Sequence, residues 1–462
     1  MRCKRLVSLL LALMLLLPAV SLAEESAPGW TVGFSAQAIL PDEEKIAAGE
    51  YYIAGYNSGM AVTGVLDPQY ARAVYLDDGS GNGGVMMVAI DCVGLSSVDV
   101  DVIRSRLTDF MKDTGCQFIH VCSTHTHAGI DTMGLWGPLA ESGINESFMQ
   151  TLYASAEQAV RDAYENRKPG RLYYGSAELP EALLRDSREP IVTDPTLTCL
   201  RFAPEDGSKG LRIYHFPAHP EALRSQNSLV SADYPAVLGR LVQEATGDDY
   251  AYFTGAIGGL IMTRELDANL YTSLEKTGKM LADAALSIDN EEELEPSIVH
   301  FTQEVYVPLE NTTFALMQFL GVLRSRAVPS GSGTGLSIVS RMSYIRLGSL
   351  PIILVPGELF PELASGVPST FTGANEELEN PKSFTEILGT DRYLIFGLAD
   401  DEIGYIVTPS DFILHKQAPY LENAYDSRNR RHYEETNSAG PMTAHYLANA
   451  LEKLIDKVNE QE

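Results

Sequence analysis

Two histidines in one short triplet are the residues of this chain best placed to do chemistry. His125 and His127 follow an apolar, β-branched run that begins at Phe118, and Gly129 ends the segment. The run predicts a β-strand, and side chains two residues apart on a strand point to the same side. We therefore expect the two imidazoles to emerge together at a strand end, where a turn leaves room for a metal or a substrate.

Three other polar residues also follow predicted strands. His219 lies between two prolines after an apolar run, Glu358 follows a strand and a Pro-Gly turn, and Tyr405 lies in a turn-rich segment. A carboxylate next to a buried strand is costly unless a positive charge or a hydrogen-bond donor meets it. Two imidazoles and a carboxylate, with an open position for water, are the ligand set typical of catalytic zinc.

Each of these residues also has a structural explanation. A histidine beside prolines is often a core or capping residue, a glutamate after Pro-Gly is often a turn residue, and a single tyrosine is most often structural. The chain contains no HExxH, GxSxG, Walker A or EF-hand pattern that would indicate another site. The residues alone therefore leave both a metal site and a structural interpretation open.

The elements that must position these residues alternate between strands and helices. Predicted strands cover 72–76, 85–90, 197–202, 211–216, 336–347 and 351–355, and predicted helices cover 97–112, 146–166, 236–245, 268–288 and 441–459. The glycine-rich turn at 77–84 formally contains GxGxxG, but it precedes a strand and so indicates a hairpin. The segments near Asn311 and at 367–384 are predicted loops. The pattern predicts an α/β (α+β) fold with mixed β-sheets flanked by helices, in a single large domain.

Composition narrows the function further. Residues 1–23 have a basic start, an apolar stretch and small residues before Glu24, which predicts a cleavable signal peptide, an exported protein and a mature domain at 24–462. No later segment looks transmembrane. The formal net charge of −28 argues against nucleic-acid binding. The scattered cysteines after the signal predict buried free thiols, although one disulfide is possible.

The ordered set of motifs resembles the neutral/alkaline non-lysosomal ceramidase family. The resemblance includes Ser123–Gly129 with Gly134–Pro138, Ala218–Pro220 with Ser231–Pro235, Leu354–Glu358, Gly404–Tyr405, Arg431–Glu434 and an opening segment at Gly64–Arg72. These matches run in order from about residue 30 to about residue 450. The resemblance implies a fold like that of the ceramidase catalytic domain, and amide-bond hydrolysis of a small-molecule amide or lipid.

The resemblance also implies a role for each candidate residue. It places zinc on four ligands: His125, His219, Glu358 and Tyr405. His127 would handle protons and steady an oxyanion beside the metal. Arg185 is the best match to an arginine that binds the scissile amide.

Two features depart from the family pattern. Gly255 and Gly259 stand where a serine and an aspartate are expected, and Thr254 is the adjacent hydroxyl and the candidate to replace the serine. The sequence also stops soon after Gly440-Pro441, so we expect a catalytic domain without the C-terminal β-sandwich of ceramidases. The expected function is thus a zinc-dependent amide hydrolase. Hydrolysis of a non-lipid amide or an ester, or a metal-retaining inactive binding protein, are the alternatives.

Overall fold

The computed structural model describes residues 29–139, 141–259 and 262–461, so the predicted signal peptide lies outside them. The described residues form 22 strands, which in chain order are β1 (Trp30–Ile39), β2 (Gly64–Val65), β3 (Gln69–Asp77), β4 (Val85–Ile90), β5 (Phe118–Ser123), β6 (Lys168–Glu178), β7 (Leu184–Arg185), β8 (Thr196–Pro204), β9 (Leu211–Phe216), β10 (Leu229–Val230), β11 (Asp249–Thr254), β12 (Met262–Thr263), β13 (Glu292–Leu294), β14 (Ile298–Pro308), β15 (Ala327–Pro329), β16 (Leu336–Leu347), β17 (Leu350–Leu354), β18 (Glu358–Leu359), β19 (Leu394–Phe396), β20 (Tyr405–Ile406), β21 (Ala424–Tyr425) and β22 (Arg431–His432).

The same part of the chain forms ten helices. They are α1 (Glu43–Ala48), α2 (Ser97–Arg106), α3 (Thr108–Thr114), α4 (Glu146–Glu165), α5 (Tyr234–Thr246), α6 (Leu270–Leu286), α7 (Thr312–Phe319), α8 (Pro361–Ser365), α9 (Phe384–Leu388) and α10 (Thr443–Gln461). None of these helices has both the length and the apolar character needed to cross a bilayer.

Two mixed sheets make up the framework. The larger has nine strands in the order β11-β9-β8-β6-β1-β3-β4-β5, with β13 paired to β6. The smaller has five strands in the order β14-β16-β17-β19, with β15 paired to β16. The pairs β4–β5, β9–β11 and β17–β19 are parallel, and the other pairs in these sheets are antiparallel.

The two sheets pack face to face between layers of helices. Along β3, Val74 and Leu76 join a core shared with Ile345 of β16, whereas Tyr75 joins a core shared with Phe148 of α4. Alternate residues of a strand point to opposite faces, so both faces of these strands are buried and the whole run is apolar. Helix α10 covers the outer face of the smaller sheet. The predicted α/β (α+β) class with mixed, helix-flanked sheets is confirmed.

Most predicted elements occur within a few residues of their expected bounds, with two exceptions. The predicted helix at 97–112 is two helices, because Leu107 adopts φ −109° and ψ 10° between them. The segment after Asn311, predicted as a loop, is helix α7, and the Asn311 side chain caps it by accepting from the amides of Thr313 and Phe314. The glycine-rich turn at 77–84 does join an antiparallel hairpin. The four described cysteines are buried free thiols, as predicted.

Candidate metal centre and substrate pocket

Backbone contacts between the two sheets bring the candidate residues together. The loop that follows β19 lies against β5, where the Asp400 amide donates to the Val121 carbonyl at 2.7 Å and the Ser123 amide donates to the Leu398 carbonyl at 3.1 Å. The loop after β5 carries His125 and His127, and the segments after β17 and β19 carry Glu358 and Tyr405. Residues more than 200 positions apart therefore meet at one edge of the framework.

His125 is held by a turn rather than by a strand. Strand β5 ends at Ser123, and His125 adopts φ +65°, a left-handed conformation that is uncommon for residues other than glycine. Its amide donates to the Cys92 carbonyl at 2.9 Å, and its Nδ1 lies 2.5 Å from the Val93 carbonyl. Because a carbonyl can only accept, Nδ1 carries the proton and Nε2 presents its lone pair. The two imidazoles do converge, as expected. They converge because of this turn, however, and not because they alternate along a β-strand.

Three imidazoles and one carboxylate meet in this buried cluster. The Nε2 atoms of His125 and His127 are 3.1 Å apart, and Glu358 Oε2 lies 3.1 Å from His219 Nε2 and 3.6 Å from His125 Nε2. The ligand atoms of the three histidines all lie within 4.8 Å of one another. Two atoms bound tetrahedrally to zinc at about 2.0–2.1 Å lie roughly 3.4 Å apart. The spacing of the cluster therefore suits ligands that share one small cation.

Tyr405 reaches the cluster through strand pairing. The short strands β18 and β20 run parallel, with Glu358 directly opposite Tyr405. The Tyr405 hydroxyl interacts with the Glu358 carboxylate, and its ring meets that of Tyr433 edge-on with the centroids 6.1 Å apart. Burial raises the pKa of Tyr405 well above its usual value. An isolated Tyr405 is thus a neutral phenol, and it would ligate as phenolate only with a cation beside it.

Burial dominates the electrostatics of the cluster. It lowers the pKa of His125 to about 4 and that of His127 well below the usual range, whereas it raises the pKa of Glu358 to about 7. The imidazoles of His125 and His127 are therefore neutral at pH 7, which is the form that binds metal. A carboxylate with a raised pKa is one whose charged form is poorly stabilised, and a divalent ion would stabilise it. The donor set therefore fits the metal that the family resemblance implies.

A second carboxylate supports His127, and sequence reasoning missed it. Glu221 is buried, and its Oε2 lies 3.6 Å from His127 Nδ1 and accepts a short hydrogen bond from the Tyr56 hydroxyl. The Asp233 carboxylate fixes the turn that carries Glu221 by accepting from the amides of Ala222 and Leu223 at 2.9 and 3.0 Å. The only sequence feature that pointed to Glu221 was its position directly after His219-Pro220. No sequence feature pointed to Tyr56.

The cluster opens into a pocket of about 460 Å³. His125, His127, Glu358 and Tyr405 line its polar part together with Glu402, whose pKa is raised well above the usual value by burial and by the nearby Glu358. The remaining wall is mostly apolar, and its residues include Met133, Leu135, Trp136, Phe314, Leu323 and Ile338. The site thus combines a buried polar floor with an apolar wall.

Two predicted catalytic residues lie apart from this pocket. Arg185 is exposed on β7 and lines a separate groove, and Thr254 ends β11 as a buried residue that does not line the pocket. Catalytic roles for Arg185 and Thr254 stay predictions. The structure does give a reason for one departure from the family pattern. A Cβ atom on Gly255 would lie 2.7 Å from His215 Nε2 and 2.8 Å from Pro217 Cβ, so a serine does not fit there.

Comparison with known proteins finds a sequence family that matches part of the chain. Residues 47–269 match the sequence family described as "Neutral/alkaline non-lysosomal ceramidase, N-terminal". The neutral ceramidase of Pseudomonas aeruginosa is 25% identical over 202 residues, which are 40% of this chain and 30% of that protein. The aligned stretch therefore spans less than a third of the relative's length.

Solved structures show the same architecture. The crystal structure of neutral ceramidase from Pseudomonas aeruginosa superposes with a TM-score of 0.71 at 17% identity, over 94% of this chain and 75% of that one. A ceramidase complexed with C2 gives a TM-score of 0.70 at 16% identity, over 94% and 76% of the two chains. At these identities the similarity establishes the fold. Together with the sequence matches, it shows a ceramidase-like chain, of which residues 47–269 match the N-terminal model of the neutral/alkaline non-lysosomal ceramidase family.

Proposed function

We propose that this protein is an exported, zinc-dependent hydrolase that cleaves an N-acyl amide bond. The observation that carries the proposal is the convergence of His125, His219 and Glu358, from loops of both sheets, on one point beside a pocket with an apolar wall. These residues and Tyr405 would hold the ion. When bound there, zinc supplies Lewis acidity toward a carbonyl oxygen and lowers the pKa of water.

His127 is suited to move the proton. It is neutral at pH 7 because burial lowers its pKa, so it can accept a proton from an attacking water. Its Nδ1 lies 3.6 Å from the Glu221 carboxylate, which would stabilise the imidazolium that forms. His127 would then return the proton to the departing amine.

The apolar wall favours an acyl chain as the other half of the substrate. Six large apolar side chains, Met133, Leu135, Trp136, Phe314, Leu323 and Ile338, face the same pocket as the histidines. Burying apolar surface contributes roughly 25 cal/mol per Å², so an alkyl chain gains affinity along this wall. This supports a lipid-like amide more than a small polar amide or ester.

One observation favours the alternative of a metal-retaining protein without catalysis. Gly255 and Gly259 stand where the family pattern has a serine and an aspartate, and the space beside Gly255 is filled by His215 and Pro217. A site that has lost those groups could keep its metal and lose turnover. The two readings differ in whether a product is released.

Hydrolysis of N-acyl amides of increasing chain length in ¹⁸O-labelled water separates these functions. We expect ¹⁸O in the released acid, with the reaction abolished by chelation and by His125→Ala. His445→Ala, outside the site, is the matched control and should keep the activity. Stoichiometric zinc without product from a panel of amides and esters would assign the inactive binding role, and release from esters alone would exclude amide hydrolysis.

Export is a separate part of the proposal. It rests on the basic and apolar pattern of residues 1–23. N-terminal sequencing of the protein produced by a secreting host should find Glu24 first. A chain that retains residues 1–23 in the cytoplasm would contradict it.

A further inference from the structure

A groove rich in arginine opens beside the candidate site. The arginine groove has a volume of about 670 Å³, and five arginines line it: Arg185, Arg188, Arg428, Arg430 and Arg431. Arg431 and Tyr433 line both this groove and the histidine pocket, so the two cavities adjoin. In a chain with a formal net charge of −28, such a concentration of cationic side chains is unexpected.

Carboxylates pair with three of the five arginines. Arg188 is buried and pairs with Glu434 and Glu435 at 3.2 and 3.1 Å. Arg428 pairs with Glu189 at 3.4 Å, and Arg430 pairs with Asp426 at 2.6 Å and with Asp411 at 2.8 Å. These ion pairs account for Arg188, Arg428 and Arg430 as structural residues.

Arg185 and Arg431 differ from the other three. Both are exposed, and among the residues that the structure describes neither has a carboxylate within 4.0 Å. The Arg431 guanidinium lies 5.0 Å from the centroid of the Tyr433 ring. With the Asn423 amide oriented to accept, its oxygen lies 2.9 Å from Arg431 Nη2 and 3.1 Å from Nε. Neutral partners thus orient the Arg431 cation and leave its charge uncompensated.

We propose that Arg185 and Arg431 form a subsite for an anionic group, a carboxylate or a phosphate, on the amine half of the substrate. This inference rests on the proposed amide hydrolysis. The apolar wall takes the acyl chain, so an amide held at the histidines extends its amine half toward Arg431. A planar guanidinium binds carboxylate and phosphate oxygens with two parallel hydrogen bonds, which neutral hydroxyls cannot match.

Three substrates with one acyl chain test the subsite: N-lauroylglycine, the phosphate ester of N-lauroylethanolamine, and neutral N-lauroylethanolamine. For the zinc-loaded protein we expect kcat/KM to favour at least one anionic substrate by about tenfold or more, the scale of one charge-assisted hydrogen bond. Preference for the first identifies a carboxylate and for the second a phosphate. Arg431→Gln and Arg185→Gln should each lower the ratio of anionic to neutral kcat/KM several-fold, whereas Arg428→Gln, whose charge is already paired, should keep it.

Equal use of the charged and neutral substrates, or a ratio that Arg431→Gln leaves intact, would overturn the subsite. Absence of turnover with all three substrates would instead overturn the proposed hydrolysis, and binding then decides the subsite. In calorimetric titration of the zinc-loaded protein, tighter binding of N-lauroylglycine than of N-lauroylethanolamine, lost in Arg431→Gln, supports it. Equal affinities reject it.

Discussion

Two buried histidine clusters lie a few residues apart along β5 and the loop that follows it, and they differ in what balances their carboxylate. The first cluster consists of His120, His300, Asp400 and Arg104, and we name it the interlock cluster. In it, His120 Nε2 lies 3.0 Å from His300 Nε2, and His120 Nδ1 lies 2.8 Å from Asp400 Oδ2. Arg104 completes it, with Nη2 2.5 Å from Asp400 Oδ1. In the site cluster of His125, His127, His219 and Glu358, the carboxylate forms ion pairs only with imidazoles among the residues that the structure describes.

The pKa values of the two carboxylates follow this difference. Asp400 is buried, yet Arg104 and His120 hold its pKa well below the usual range. Glu358 is also buried, and burial raises its pKa to about 7 because only weak partners oppose it. Similar residue types therefore play two roles. In the interlock cluster an arginine of the chain balances the carboxylate, whereas the site cluster is suited to a bound cation. Each prediction below tests one side of this contrast.

The largest expected effect is on activity. His125→Ala should remove the metal and lower kcat/KM by on the order of a thousandfold or more, because a ligand and the Lewis acid are lost together. Its unfolding midpoint without metal should change little. His120→Ala should do the reverse, with lower stability and metal content unchanged. Metal analysis and urea unfolding of both variants check this, and a His120→Ala protein without metal would contradict the division.

The next effect is on stability. Asp400→Asn leaves the Arg104 cation without its buried partner and should destabilise the fold by about 3–5 kcal/mol. Asp101→Asn removes a weaker and more exposed partner of the same arginine, 3.5 Å away, and should cost about 1 kcal/mol or less. Urea unfolding of both variants gives the comparison. Equal losses would show that the buried Asp400 carboxylate stabilises the fold no more than the exposed Asp101 carboxylate does.

A smaller effect concerns the support of His127. Glu221→Gln should lower kcat by about 10–100-fold, the usual scale for a residue that orients a group at the metal, and zinc should still bind. Glu265→Gln, at an exposed partner of Arg224 in the same region, is the matched control and should leave kcat unchanged. Loss of zinc in Glu221→Gln would instead make His127 a ligand.

The smallest expected effect is the change in stability per pH unit that the interlock cluster causes. The lowered pKa of His120 means that the unfolded chain takes up a proton below about pH 6.5 while the fold does not. The lowered pKa of Asp400 also means that, below about pH 4, the unfolded chain takes up a proton at this residue while the fold does not. Stability should fall with acid, by at most about 1.4 kcal/mol per pH unit for each proton. The difference in unfolding free energy between wild type and Asp400→Asn should shrink below about pH 4, and a constant difference would contradict the assignment.

The strands and helices of the framework could be predicted from the sequence because their apolar residues recur with the period of a strand or of a helix. Strand β16 has its predicted bounds, since glycine-containing turns limit it on both sides, and the hairpin at 77–84 pairs as expected. Helix α7 was missed because its apolar residues show no amphipathic period and none of its residues is fully buried. The break at Leu107 was missed because no glycine or proline marks it.

Only the site residues that follow predicted strands or belong to family motifs could be predicted from the sequence. Those features named His125, His127, His219, Glu358 and Tyr405, which the fold brings together. The left-handed turn at His125 depends on acceptors at Cys92 and Val93, which no local pattern reveals. Glu221 and Glu402 enter the site through contacts between distant segments, so tertiary packing identifies them and no motif does.

The central claim is that the site cluster, and not the interlock cluster, holds one divalent ion. Zinc titration of the chelator-treated protein by calorimetry, with the bound metal counted after dialysis, tests it directly. We predict one zinc per chain in wild type and in His120→Ala, and none in His125→Ala or His219→Ala. Binding that survives in His125→Ala and His219→Ala, or is lost in His120→Ala, would contradict the claim.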